Sequence, residues 1–419
     1  MKTSREHFVN ACFVLYMIGV ILVYVLPYFK YTISYEIAAL LLLISFPFLF
    51  FGGSKQRYLC ILFGCSVLFG LLYFIVKIPG DLKESINEVI RNLRFYLPAS
   101  LGFYAVKKCK YKSKTIILSC FLLTVLFVMF VTISALFDNP MLARALAEGV
   151  TISENTAAYR LSNVGGFEFS YMIGILTLVF VYFFVKSARK GLKWISLIAA
   201  VVCFLYIVES QYTILLILTT MFSLILLLWR RSYVLLKVIL MLGLILLFLN
   251  LDSFFAYLSQ HLKQQMLAEK FSWLADYYSG NSNQDVLHSR PELYLDAFFD
   301  FCKSPVWGSA TESSDRAHSY VLGLLSSGGL IGLCCYLKIF LEAKKHIENC
   351  LLQLKKDTTL FKYACWYCFL LSVVNPIGTS FEISIVLYFI IPVWISNMSD
   401  ITKENHEKII PSNKMRRIT

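Results

Sequence analysis

Hydrophobic residues in this chain fall in long, nearly unbroken runs separated by short polar segments. Most runs approach the roughly 20 residues that cross a bilayer as a helix. About twelve such runs can be marked out, centred near residues 18, 44, 67, 99, 125, 175, 202, 221, 243, 329, 368 and 388. Backbone N–H and C=O groups find no water in hydrocarbon and must pair within their own segment, so the runs are predicted to be helices. The pattern predicts an all-α fold: a polytopic membrane helical bundle of about twelve transmembrane helices. Residues 1–419 form a single integral membrane domain on this reading, with no sequence repeat, low-complexity linker or separate soluble domain.

Composition agrees with the pattern. Hydrophobic residues make up 58% of the chain and charged residues 16%, against the roughly 25% charged that a water-solvated domain carries. Charge adds an orientation. Alternate connections hold Lys55 and Arg57, the run Lys107-Lys108-Lys110-Lys112-Lys114, the stretch Lys186 to Lys193, Arg230-Arg231, and Lys344 to Lys356. Lys2, Arg5 and the tail from Lys403 to Arg417 belong to the same set, which gathers about two-thirds of the 39 Lys and Arg. Positive-inside bias therefore predicts that both termini are cytoplasmic. It also accounts for the +13 net charge without a nucleic-acid partner. The first span lacks a small-residue cleavage site and is expected to be retained. Only Cys302 of the twelve cysteines falls in the long outer loop, and the Cys365/Cys368 pair lies in an apolar run, where helix packing accounts for it. No cysteine or histidine spacing suits a structural zinc site.

Three outer segments are long enough to hold a site. Residues 78–93 contain an amphipathic turn leading into a span that carries Arg94. Residues 137–163 end in Arg160, just before Gly165-Gly166 and a span bearing Glu168. The largest, residues 253–317, lies between the ninth and tenth spans. Its first part, residues 254–278, places Leu258, Leu262, Leu267, Phe271 and Leu274 near one face of a predicted helix lying on the membrane or against the bundle. After the polar break SGNSNQD, Ser289 and Glu292 form a Ser-x-x-Glu capping box with Pro291 in the first turn, predicting a helix start. Tyr294, Ala297, Phe298 and Phe301 then make one apolar stripe, while Glu292, Asp296 and Asp300 fall on another face. Lys303-Ser304-Pro305 should end the helix, and Trp307 is expected at the membrane interface.

The candidate chemistry gathers on this outer side. Arg290 stands at a helix N-terminus, where free backbone N–H groups and a guanidinium suit a phosphate or pyrophosphate; pairing with Asp285 or Glu292 is the structural alternative. Arg160 either pairs with Glu154 or Glu168, or joins Arg290 over one anionic group. His318 opens the tenth span beside Asp315, Arg316 and Tyr320. A histidine accepts protons at neutral pH and can act as a general base, although an interfacial His is also a common amphipathic anchor. Gly328, Gly329 and Gly332 form a small-xxx-small stretch suited to the close approach of another helix. Phosphate-binding P-loop, HExxH and GxSxG motifs are absent, which removes support for an ATPase, a zincin or a serine hydrolase.

The order Arg290, aromatic helix, Pro305-Val306-Trp307-Gly308, Ala317-His318-Ser319-Tyr320 and Gly328-Gly329-Leu330-Ile331-Gly332 resembles the O-antigen ligase and Wzy-type polymerase superfamily of bacterial envelope enzymes. The segment Arg160 to Phe167 is similar to that family's earlier arginine motif. Two departures stand out. Ser210-Gln211 occupies a place where the family often has Ser-Arg, a contact that Arg94 could supply, and the stretch after Gly308 (SATESSD) is acidic and serine-rich.

The resemblance implies a GT-C-like architecture and a metal-independent, cofactor-free glycosyltransferase of the bacterial plasma (inner) membrane. Its donor would be an undecaprenyl-pyrophosphate-linked oligosaccharide, its surroundings membrane lipid, and a chain-length regulator a further partner. His318 and Arg290 are the implied catalytic pair. Arg160, Arg290 and Arg94 would hold the pyrophosphate, with Tyr294, Arg316 and Tyr320 in support. Polymerase and ligase differ in acceptor, a second lipid-linked repeat unit or a lipid A core; the departure at Gln211 favours polymerase. A flippase or transporter is the non-enzymatic alternative, but translocators bury charges in several spans, and here mid-span positions are mostly apolar.

Overall fold

A computed structural model describes residues 2–32, 56–77, 81–139, 162–187, 189–228, 251–262, 264–278, 289–309, 319–378 and 380–398, with isolated positions 41, 44, 45, 48 and 142. Among the described residues every regular element is a helix, as hydrocarbon solvation of the backbone requires. In chain order these are α1 (Lys2–Val25), α2 (Pro27–Thr32), α3 (Gln56–Leu72, continued by a π-helical turn Tyr73–Lys77), α4 (Leu82–Lys108) and α5 (Tyr111–Asp138). Then come α6 (Phe167–Lys186), α7 (Lys190–Glu209), α8 (Thr213–Leu228), α9 (Leu251–His261), α10 (Gln265–Tyr278) and α11 (Ser289–Lys303). The last are α12 (Tyr320–Gln353), α13 (Thr359–Val374) and α14 (Phe381–Ile385, continued by the π turn Val386–Ile390).

Seven described segments are long and apolar enough to cross a membrane: His7–Val25, Arg57–Val76, Tyr111–Asp138, Phe167–Lys186, Lys190–Glu209, Tyr320–Gln353 and Phe381–Met398. The chain is therefore a multi-pass helical membrane protein. The runs expected near residues 221 and 368 form the shorter apolar helices Thr213–Leu228 and Thr359–Val374. The run expected near residue 99 is α4, whose first half carries Lys83, Glu84, Glu88, Arg91 and Arg94. Most of the run near residue 44, and all of that near 243, lies outside the described residues. Cys365 and Cys368 are both buried.

The chain forms two compact units. The first comprises Met1–Val128, Ile331–Cys365 and Thr379–Thr419; the second comprises Met129–Leu330 and Trp366–Gly378. In the first unit α14 is almost wholly enclosed: Val386 to Ile391 are fully buried. It packs on α4 at Gly102, where an added Cβ would come within 3.3 Å of the Phe389 Cα and closer still to the Tyr388 carbonyl. Ser384 donates to the Phe95 carbonyl in the same seam.

Segments that the charge pattern assigns to one side also meet in this unit. His7 lies 3.1 Å from Lys110, Lys114 donates to Ser396 at 2.8 Å, and Lys362 pairs with Glu348 at 2.8 Å. Nearby, the His346 ring stacks between Tyr58 and Phe103, at 4.7 and 4.4 Å between centroids.

In the second unit α6 is the central helix, with fourteen buried residues from Phe169 to Phe183. By contrast α7 leaves Trp194, Ile195, Ile198, Val201 and Leu205 exposed, an apolar stripe suited to acyl chains. Hydroxyl pairs join the buried faces: Ser170 with Tyr206 at 3.3 Å, and Thr219 with Tyr367 at 2.7 Å. Such pairs satisfy polar groups where no water is at hand. The expected single helix over 254–278 is instead two helices, broken at Leu262, with Phe255 of α9 stacked on Phe271 of α10 at 5.6 Å. Leu267, Phe271 and Ala275 are the buried positions, at four-residue spacing along α10. Folding back lets α10 bury that stripe against its own neighbour.

Candidate functional site

Helix α11 starts at Ser289 and stops at Lys303, as the capping box and the Ser304-Pro305 pair predict. Arg290 and Pro291 therefore occupy its first turn. The faces differ from expectation. Ala297 is buried and Tyr294 and Phe301 are half-buried, but Phe298 is exposed together with Leu295 and Phe299, while Asp300 is buried. Asp300 can sit inward because Lys303, one turn on, donates to it at 2.7 Å. The same hydrogen bond, with the carboxylate's charge, raises the Lys303 pKa above the ordinary lysine value. Charge pairing thus overrides the apolar stripe on the inner face and leaves aromatic rings on the outer one.

Beyond α11 the chain makes a tight turn against α12. The Gly308 amide donates to the Ser304 carbonyl at 2.9 Å, the Ser309 amide to the Ser326 carbonyl at 2.7 Å, and the Leu330 amide to the Pro305 carbonyl at 2.8 Å. The last two bonds are possible because α12 is broken at Gly329 (φ 59°, ψ −158°), which frees the Ser326 carbonyl and the Leu330 amide from the helical ladder. Both glycines at the crossing have positive φ: Gly308 at 79° and Gly329 at 59°. A Cβ on Gly329 would lie 2.7 Å from the Gly308 nitrogen, and one on Gly308 2.5 Å from the Gly328 nitrogen. The Gly328/Gly329 stretch was expected to receive another helix. It receives the Pro305–Ser309 turn instead, because only a turn offers the main-chain groups that a broken helix leaves open.

The Tyr320 end of α12 is held as well. The Ser319 hydroxyl accepts from the Leu322 amide at 3.2 Å, capping the helix. The Tyr320 amide donates to the Asn375 carbonyl at 3.2 Å, and the Tyr320 ring covers Gly378 so closely that no Cβ could stand there. Asn375 follows the end of α13 at Val374.

The segment after Arg160 is fixed by comparable devices. Asn163 takes a left-handed backbone (φ 65°), the Gly165 amide donates to Thr132 Oγ1 at 2.8 Å, and Val164 packs with Leu136 and Leu142. Gln211, at the position where the resembled family often has arginine, is buried and left-handed (φ 58°); its amide donates to the Val208 carbonyl, closing α7. Glu209, at the same helix end, accepts from Gln264 at 2.9 Å, tying the turn between α9 and α10 to α7.

Of the remaining candidates, Arg160, Arg316 and His318 lie outside the described residues. Tyr294 and Tyr320 belong to the second unit and Arg94 to the first. The Arg94 guanidinium stands 5.8 Å from the Tyr24 ring centroid, and its buried Nε has no hydrogen-bond partner among the described residues. Tyr24 in turn packs on Phe381 at 3.9 Å. The nearest acid in sequence, Glu88, is taken by Arg91 at 2.5 Å. Among the described residues no cluster of three His, Cys, Asp or Glu is placed to hold a metal ion.

The main-chain crossing of Pro305–Ser309 with Ser326–Leu330 and the Tyr320–Asn375 contact are the features that sequence reasoning missed. Their signal was two separated glycine motifs, either of which reads alone as ordinary turn or packing chemistry. No protein-family model matches the chain, and no curated protein matches it in sequence.

Proposed function

We propose that this protein is a Wzy-type polysaccharide polymerase. It transfers an undecaprenyl-pyrophosphate-linked glycan to an acceptor sugar hydroxyl at the outer face of the bacterial plasma membrane, in the synthesis of O-antigen, capsule or exopolysaccharide. On this reading the chain has about twelve spans in a GT-C-like arrangement, both termini are cytoplasmic, and residues 253–317 face outward. The observation that carries it is the crossing of Pro305-Val306-Trp307-Gly308 with Gly328-Gly329. These are two separated parts of the resembled motif, and each needs its glycine because of the other. The crossing also holds Ser309, and the capped start of α12 holds Ser319, so the residues flanking the segment with Arg316 and His318 are both anchored.

In the reaction the acceptor oxygen bonds to the anomeric carbon as the bond from that carbon to the pyrophosphate oxygen breaks. The acceptor proton passes to His318, and the charge left on the lipid pyrophosphate is held by Arg160 and Arg290. Tyr294, Arg316 and Tyr320 orient these groups. Arginine suits the task because its guanidinium stays charged and binds phosphate oxygens in pairs.

The test is direct. Purified chain in lipid nanodiscs, given a polyprenyl-pyrophosphate repeat unit without nucleotide or metal, is expected to yield a ladder of lipid-linked polymer. Transfer to a lipid A core acceptor in place of the ladder would make it a ligase. A folded chain inactive with both acceptors would sink the transferase reading.

Arg94 offers a second check. Its half-buried charge lacks an acid partner among the described residues, so it contributes little to the fold. Arg94→Met keeps the side chain's length and removes its charge, so it is expected to leave stability unchanged or raise it by about 1 kcal/mol, since an unpaired buried charge costs more than it returns. Polymer yield should fall nonetheless. A large drop in melting temperature would instead mark Arg94 as structural.

A further inference from the structure

The turn that crosses α12 is apolar and exposed: Pro305, Val306 and Trp307 all lie open, with Trp307 54% exposed. Its position along the span is what makes this exposure informative. α12 begins at Tyr320, at the level where α13 has ended, because the Tyr320 amide bonds the Asn375 carbonyl one residue past Val374. The turn bonds α12 at Ser326 and Leu330, six and ten residues further along. At a rise of about 1.5 Å per residue, those bonds lie roughly 9 and 15 Å inward from the span's mouth. Half the hydrocarbon thickness of a bilayer is about 15 Å.

We infer that Pro305-Val306-Trp307 is a re-entrant wedge whose exposed side chains sit among the lipid acyl chains of the leaflet at the Tyr320 end of α12. Irregular backbone at this depth is tolerated only when its polar groups are satisfied by protein. The turn meets that condition where it crosses α12: the Gly308, Ser309 and Leu330 amides and the Ser304, Ser326 and Pro305 carbonyls are paired. The charge preceding it is also matched: Lys303, in the last turn of α11, is paired with Asp300 at 2.7 Å. Leu295, Phe298 and Phe299, exposed on α11, continue the apolar surface back along the chain. A water-facing turn would have no reason to present proline, valine and tryptophan together. The inference does not depend on the glycosyl-transfer reading.

The experiment uses the full chain in nanodiscs containing lipids brominated at shallow, middle or deep acyl positions. The Trp307 signal is the difference between the native chain and Trp307→Tyr, excited where only tryptophan absorbs. Bromolipid is expected to quench that difference signal at least twofold, while iodide in the aqueous phase leaves it nearly unchanged. Iodide quenching without bromolipid quenching would place the turn in water and overturn the wedge. Quenching by neither would mean protein covers it, which overturns it equally. Should Trp307→Tyr fail to fold, a benzophenone amino acid at Val306, with Trp307 retained, gives an independent readout. Illumination should attach lipid, and attachment only to protein would reject the proposal.

Discussion

Gly329→Ala should destabilise the protein by about 3 kcal/mol or more, from backbone strain and overpacking together. At φ 59° and ψ −158°, Gly329 occupies backbone space that is essentially closed to any residue with a side chain. Strain of that kind costs on the order of 1–3 kcal/mol by itself. The added methyl would also lie 2.5 Å from the Val306 carbonyl carbon and 2.7 Å from the Gly308 nitrogen. Those are main-chain atoms held by hydrogen bonds, so they cannot rotate aside as a side-chain tip could. Relief would require the Leu330–Pro305 and Ser309–Ser326 bonds to break, leaving main-chain polar groups unpaired. Gly308→Ala should behave alike, since its φ is 79° and its Cβ would meet the Ser327 and Gly328 backbone. Gly19 and Gly64 are the internal controls. They lie within helices α1 and α3, and a Cβ there meets nothing within 4 Å. Alanine at either should be neutral or stabilising by about 0.5–1 kcal/mol, the usual gain over glycine in a helix. Thermal unfolding of the four variants in one lipid environment checks the contrast. Equal melting temperatures across the set would mean the crossing is not a fixed feature of the folded protein.

That contrast also shows where sequence reasoning reached and where it stopped. Helix α11 was legible to its ends because its signals are local: Ser289 and Glu292 to start it, Ser304-Pro305 to stop it. Seven spans were legible because hydrocarbon imposes length and apolarity on each segment independently. Gly328-Gly329 was legible as a place of close approach but not as a break, since a glycine pair gives the same signal for a helix neighbour and for positive φ. The inward Asp300 was misread from the apolar stripe, although its partner Lys303 stands three residues away, within reach on a helix. Periodicity weighs each side chain alone, and an ion pair buries more easily than either member. Gln211 shows the converse. Its place at the end of α7 was legible as a departure from a motif, but its left-handed backbone reflects how that helix terminates. Arg160, Arg316 and His318 rest on motif order and chemistry alone.

Kinetics of variants at those positions separate the proposed roles. His318→Ala is expected to lower kcat for polymerisation by about 10²–10⁴, the usual contribution of a positioned general base. The donor KM should change little, because the imidazole acts on the acceptor and not on the lipid pyrophosphate. The sign of the pH dependence follows. Imidazole ordinarily titrates near pH 6.5 and accepts a proton only when neutral, so the wild-type rate should rise with pH through that region. His318→Ala should lose that acid limb along with the rate. Arginine variants should behave differently. Arg290→Ala and Arg160→Ala remove charge from the leaving group, whose negative charge grows as the glycosidic bond breaks, so kcat/KM should fall by roughly 10²–10³. Lysine at either position keeps the charge but loses the paired hydrogen bonds, so it should recover only part of the loss. The double variant Arg160→Ala/Arg290→Ala discriminates further. If both residues grip one pyrophosphate, the second substitution should cost less than the first, because the site has already lost its hold on the group. Full additivity would mean that the two arginines act on separate groups, and the shared pyrophosphate site would have to be abandoned.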